Sequence, residues 1–101
     1  MSVQSLAAIL PGLLRELGLE SATIGWRAVT EWPALAGERI ARHTRAASFR
    51  EGVLTIEVEG SAWMHELQFL KRELVQRANR HLGAEAVREV RFVLARGGTQ
   101  R

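Results

Sequence analysis

The spacing of apolar positions along this chain changes period twice, and those changes predict its elements. Leu6, Ile9, Leu10, Leu13, Leu14 and Leu17 follow the alternating three and four spacing of one helical stripe that ends at Gly18, with Ser2 or Ser5 placed to cap its start. Pro11 and Gly12 weaken its middle, because a proline inside a helix removes a backbone donor at a cost of about 3 kcal/mol. A kink or a late start is expected there. Ser21 opens a second helix with Trp26, Val29 and Trp32 on one side, until Pro33 forces Trp32 out of the α region. Pro33 then suits the first position of a short helix through Leu35, Ala36 and Ile40, in which Glu38 and Arg42 are placed to pair.

From Thr44 the period becomes two. Residues 44–50 and 53–59 flank Glu51-Gly52, a tight turn of the kind that joins antiparallel strands, and Leu54, Ile56 and Val58 alternate with Thr55, Glu57 and Glu59. One face of the second strand is apolar and the other charged, so the sheet is expected to be covered on one side only. Gly60-Ser61 then opens one long helix, with Trp63, Leu67, Leu70, Leu74 and Ala78 at helical spacing and Gly83 closing it after His81-Leu82. Residues 87–94 read as a last strand, with Val90, Phe92 and Leu94 on one face and Glu89, Arg91 and Val93 on the other.

The order is helix, helix, strand, strand, helix, strand, an α+β class. A right-handed strand-helix-strand crossover would add the last strand to the hairpin and lay the 61–82 helix on the apolar face of a three-stranded sheet. Residues 1–95 are expected to form one domain and residues 96–101 a flexible tail.

Composition then removes most catalytic chemistry. The chain has 101 residues, 47% of them hydrophobic and 25% charged, which suits one globular core without a disulfide or metal staple. Cysteine is absent, as is aspartate: every acidic residue is a glutamate. A Ser-His-Asp triad, an Asp-built calcium loop, thiolate catalysis and Cys-based metal sites are therefore excluded. His65-Glu66 begins a zinc-protease helix pattern, but Phe69 stands where the second histidine is required. No catalytic residue, metal ligand or cofactor site is assigned. The N-terminal apolar stretch lacks the basic lead of a secretory signal, and no run approaches the ~20 apolar residues of a membrane span, so a cytoplasmic protein is expected.

Several motifs together resemble a known family. Trp32 followed by Leu35, Gly37, Ile40-Ala41 and His43-Thr44, then Gly52-Val53-Leu54, the stretch Gly60-Ser-Ala-Trp-Met-His-Glu-Leu67, His81-Leu82-Gly83 and Val87 through Phe92 resemble the DciA family of bacterial replicative helicase loaders. The resemblance implies a KH-like domain that binds the replicative helicase hexamer, helps to place it on DNA, and itself has affinity for DNA. It also implies loading without ATP hydrolysis, and the sequence independently lacks a Gly-x-x-x-x-Gly-Lys-Ser/Thr phosphate loop. Many family members carry a basic, flexible extension, whereas this sequence stops soon after its last strand. The Gly-x-x-Gly clamp with which a standard KH domain holds a nucleic-acid backbone is missing from the sequence.

Net charge is +3, and its distribution locates candidate contacts. Arg39, Arg42, His43, Arg45 and Arg50 lie in a stretch without a single acid, the densest basic run in the chain. Guanidinium groups take phosphate oxygens bidentately, so this run is the first candidate for weak DNA binding; the alternative is a solvated helix end and edge strand. Lys71, Arg72, Arg77 and Arg80 form a second, lower-ranked candidate, which Arg88, Arg91 and Arg96 would extend across a sheet edge. These cations spread over more than one side of the helix and Glu73 is placed to pair with Arg77, so a partly neutralised outer face is the preferred account. Trp26, Trp32 and Trp63 sit on apolar stripes and are assigned to the core, with Trp63, in a first helical turn, the candidate for a partner interface. The expected function is a non-enzymatic replication adaptor with helicase and DNA as partners and neither a membrane nor a small-molecule substrate. A general single-stranded nucleic-acid module and a pure protein-interaction domain are the alternatives.

Overall fold

The computed structural model describes residue 12 and residues 19–95. Apart from Gly12, the helix expected before Gly18 lies outside the described residues, as does the tail after Ala95. From Leu19 onward the described residues begin with three helices: α1 (Leu19–Thr30), α2 (Trp32–Ala36) and α3 (Glu38–Ala41). The hairpin β1 (Thr44–Arg50) and β2 (Val53–Val58) follows, then α4 (Ser61–Gln68), α5 (Lys71–Leu82) and β3 (Glu89–Leu94). The sheet order is β1-β2-β3, antiparallel between β1 and β2 and parallel between β2 and β3. The architecture is α+β and KH-like, with a mixed three-stranded sheet.

The hairpin forms where the two-residue period predicts it. Glu51 and Gly52 both have positive φ, 52° and 83°, the signature of a primed turn whose twist matches its flanking strands. Pairing runs Arg50 with Val53, Phe49 with Leu54 and Ser48 with Thr55, then slips by one residue at Ala47 to give Ala46 with Ile56 and Arg45 with Glu57. The bulge changes which residues face the core. An uninterrupted ladder would turn Arg45 toward the apolar side, whereas the slip sends Arg45 outward and buries Ala46.

Leu54, Ile56, Val58, Val90 and Phe92 make the buried sheet face, and Leu67, Leu74, Ala78 and Leu82 of α4 and α5 lie among the residues that cover it. Each fully buried aliphatic side chain stabilises the fold by roughly 1.5–3 kcal/mol, so a further slip of β2 would forfeit three such residues at once. On the other face Arg45, Arg50, Glu89, Arg91 and Val93 are exposed. Leu94 shares the apolar side with Val90 and Phe92 yet is 54% exposed, because it lies at the end of the strand.

Trp26 departs from the reading that placed it in the core: it is half-exposed, and the buried stripe of α1 runs through Gly25 and Ala28 instead. The Phe49 ring explains the choice. A Cβ on Gly25 would stand 2.2 Å from that ring, so α1 approaches β1 through its smallest residues and turns the indole away. Trp32 is buried, and its Nε1 donates to Thr44 Oγ1 at 2.9 Å while that hydroxyl donates to the Ile40 carbonyl at 2.8 Å. One indole thereby ties α2, α3 and β1 together. The single short helix expected after Pro33 is divided at Gly37, whose φ of 91° ends α2 and starts α3.

The long helix expected over residues 61–82 is likewise two. Phe69 and Leu70 donate to the carbonyls of Glu66 and Leu67, tightening the end of α4, and Leu70 leaves helical geometry at φ −105°, ψ 5° before α5 begins. Gly83 closes α5 in the left-handed conformation at φ 72°. Strand β3 starts at Glu89 rather than at residue 87, because Asn79, buried on α5, donates to the Val87 carbonyl and accepts from the Val87 N–H, both at 2.9 Å. Those backbone groups are spent before any ladder can use them.

Candidate nucleic-acid interface

Two basic regions predicted from the sequence acquire very different surroundings. In the run from Arg39 to Arg50, three of the four arginines meet a glutamate, in two cases one brought from elsewhere in the fold. Arg39 reaches Glu66 of α4 at 2.8 Å, Arg42 reaches Glu38 at 3.0 Å, and Arg45 reaches Glu57 across the hairpin at 2.8 Å. His43 Nδ1 lies 2.9 Å from Glu59. Arg50 alone among these arginines has no carboxylate partner among the described residues. Such exposed pairs contribute only about 0.2–1 kcal/mol each to stability, but they cancel the local charge that would attract a phosphate.

Trp63 joins this region. Its ring stacks on His43 with centroids 4.4 Å apart and planes 20° from parallel, and the Arg39 guanidinium stands 5.3 Å from its centroid. The indole is partly buried against the core, and His43 and Arg39 both use its surface. The first-turn position that made Trp63 a candidate interface residue does leave it partly exposed, but as one component of a cluster with Arg39, His43, Glu59 and Glu66.

Lys71 and Arg72 are differently placed. They open α5 and, with Val75, Arg88, Glu89 and Val90, line a shallow groove of about 350 Å³ between α5 and β3. The Lys71 ammonium stands 5.9 Å from the Phe92 ring. Arg88 lies across Gly52 and donates to the Glu51 carbonyl at 2.6 Å, which leaves its charge without a counterion. Among the described residues no carboxylate lies within ion-pair distance of Lys71, Arg72 or Arg88. Glu89, at the edge of the groove, is shared with Arg91 at 3.9 Å.

The position of Lys71 and Arg72 also costs stability. No side chain caps α5, and both cations occupy its first turn, the positive end of the helix dipole, where like charge is unfavourable by about 0.3–1 kcal/mol each. Glu73 in the same turn is committed to Arg77 at 2.6 Å, and Arg77 also donates to the Ala36 carbonyl. A phosphate in the groove would relieve both the unpaired cations and the helix end.

The sequence named Lys71 and Arg72 but ranked them second, and it gave Arg88 only a supporting part. It placed Glu38 to pair with Arg42, as the structure shows, but did not contain the two long-range pairings. Register across the hairpin supplies Glu57 to Arg45, and α4 supplies Glu66 to Arg39; neither acid is near its partner in sequence. Among the described residues no group of three or more metal-ligating side chains forms, and no helix is long and apolar enough to cross a membrane.

Comparison with known proteins gives this arrangement relatives. The sequence model of the family described as Dna[CI] antecedent, DciA, matches residues 5–92. A UPF0232 protein of Streptomyces avermitilis is 34% identical over 86 residues, covering 83% of this chain and 48% of the relative. One from Mycolicibacterium smegmatis is 27% identical over 90 residues, 89% of this chain and 46% of the relative. A third, from Bifidobacterium longum, is 35% identical over 60 residues, 59% of this chain and 38% of the relative. The chain thus spans about half the length of these curated relatives or less.

Proposed function

Because the chain belongs to the DciA family, we propose that it is a non-enzymatic adaptor of bacterial DNA replication, which binds the replicative helicase hexamer and assists its loading on DNA. The match over residues 5–92 carries this reading. Work of this kind is done by binding energy: an adaptor that prefers one conformation of the helicase shifts its population toward that conformation without hydrolysing a nucleotide.

DNA contact is assigned to the groove between α5 and β3, through Lys71, Arg72 and Arg88. Their unpaired charge favours it over the paired arginines of the 39–50 run, of which Arg50 alone keeps a charge available to DNA. Trp63, with Arg39 and His43 around it, is assigned to the helicase. A half-buried aromatic flanked by guanidinium is the composition that dominates protein interfaces.

The test is capture of the purified helicase hexamer by the full chain at micromolar concentration, followed by loading of that helicase onto a DNA fork with and without the chain. A complex that weakens in Trp63→Ala, with the fold verified by circular dichroism, and faster loading in its presence are expected. No complex at that concentration would overturn the adaptor reading.

A further inference from the structure

The elbow between α4 and α5 carries an aromatic side chain that the adaptor reading leaves unused. Phe69 is 78% exposed, although the residues on either side of the helix break, Leu67 and Leu70, are buried and half-buried. The tightened turn at Glu66 to Leu70 takes Phe69 off the apolar stripe and presents it to solvent. Exposed His65 meets the ring edge-to-face at 5.5 Å, at 84° between planes.

Among the described residues, the charges near this ring that lack an ion-pair partner are cationic. Lys71 and Arg72 follow it after Leu70 and lead into the groove with Arg88, a groove whose one lining carboxylate is Glu89. Of the carboxylates near it in sequence, Glu66 is held by Arg39 and Glu73 by Arg77. We propose that Phe69 is a stacking platform for a base of single-stranded DNA whose phosphates are held by Lys71, Arg72 and Arg88. An exposed aromatic beside a row of unpaired cations is the pairing that sequence-tolerant single-strand binders use, since every base has a face to stack and every nucleotide a phosphate. Duplex DNA offers the phosphates but keeps base faces covered by their neighbours, so the ring selects the single strand. Trp63 cannot serve in the same way, because His43 already stacks on it.

This inference rests on the assignment of DNA to the groove, and the experiment separates the two. Affinity of the full chain is measured for oligo-dT of about a dozen nucleotides and for an abasic strand of the same length, which has the phosphates without the bases. The intact chain is expected to bind oligo-dT about tenfold more tightly than the abasic strand. Phe69→Ala should abolish that preference while leaving abasic affinity and its salt dependence unchanged, and Phe69→Trp should retain it. Lys71→Gln with Arg72→Gln should weaken both ligands equally. Equal affinity of the intact chain for the two strands, or an unchanged preference in Phe69→Ala, would overturn stacking while DNA contact stands. Failure to bind either strand would remove the DNA assignment and the stacking site with it. Weaker helicase capture by Phe69→Ala at an unchanged preference would make Phe69 a protein contact and overturn the proposal.

Discussion

The two arginine-rich regions hold similar numbers of cations and differ in what surrounds them. Between Arg39 and Arg50 the fold returns an acid to nearly every base, from α3, β2 and α4. Between α5 and β3 it leaves Lys71, Arg72 and Arg88 without a carboxylate at ion-pair distance, Glu89 in the same groove lying toward Arg91, and sets the first two against the positive end of a helix. Charge density along a sequence measures how many cations are close in the chain. Ligand binding depends on how many remain uncompensated in space, and there the sparser region exceeds the denser one.

Removing the support of the groove should produce the largest effect. Asn79 is buried and satisfies both backbone groups of Val87, so it sets the loop from which Arg88 and β3 emerge. Asn79→Leu would leave a buried N–H and a buried carbonyl unpaired, at about 1–3 kcal/mol for each group, and a total loss of about 2–4 kcal/mol is expected in urea unfolding. The 39–50 region has no such dependence on Asn79.

Charge removal compares the regions directly. Replacing Lys71, Arg72 and Arg88 by Gln should lower affinity for single-stranded DNA by roughly 30-fold near 0.1 M salt and reduce the log-log salt slope by about two. The matched triple, Arg39, Arg42 and Arg45 to Gln, should change affinity by less than about threefold, because each of these cations is held on a glutamate and is not presented to a phosphate. Equal losses would erase the distinction between the regions.

Releasing the paired arginines sharpens the same point from the other side. Glu57→Gln with Glu66→Gln frees Arg45 and Arg39 at exposed sites with little effect on stability. DNA affinity, read by fluorescence anisotropy, should rise by about two- to threefold. A rise to the level of the groove would mean that the acids, and not the position, had been masking a second site.

Much of this arrangement was legible in advance, and the parts that were not share a cause. Alternation in Leu54, Ile56 and Val58 and the Glu51-Gly52 turn specified the hairpin, and the apolar stripe of residues 63–78 specified a helical cover. The break at Phe69 was invisible because Leu67, Leu70 and Leu74 keep helical spacing across it, with no glycine or proline to mark it. Trp26 was misplaced because a stripe drawn through large residues overlooks a helix that packs through Gly25 and Ala28. The partner of Arg45 depended on a bulge at Ala47, and straight counting back from the turn gives Val58 instead of Glu57. Local pattern determines elements; register and packing determine which charges meet.

The smallest expected effect lies at the far end of α5, where His81 of its last turn and Arg27 of α1 meet one acid. Glu31 accepts from the Arg27 guanidinium at 3.3 Å and lies 2.8 Å from His81 Nε2, joining the end of α1 to the last turn of α5. The Arg27 hydrogen bond first, and the His81 contact second, hold the Glu31 carboxyl below its ordinary value of 4.5. A carboxyl whose pKa is lowered by folding binds fewer protons in the native state than in the unfolded one, so it contributes stability above its unfolded pKa. That contribution should be complete above about pH 5 and lost as pH falls through 4.5 and then through the lowered native value. In urea titrations, the intact chain should therefore exceed Glu31→Gln in stability by a small margin at neutral pH, and the two should converge in acid. Single-stranded DNA affinity at neutral pH should be the same for both, since Glu31 and His81 sit at the opposite end of α5 from Lys71 and Arg72. A shared loss of affinity would show that the two ends of the helix are coupled, and the groove could no longer be treated as an independent site.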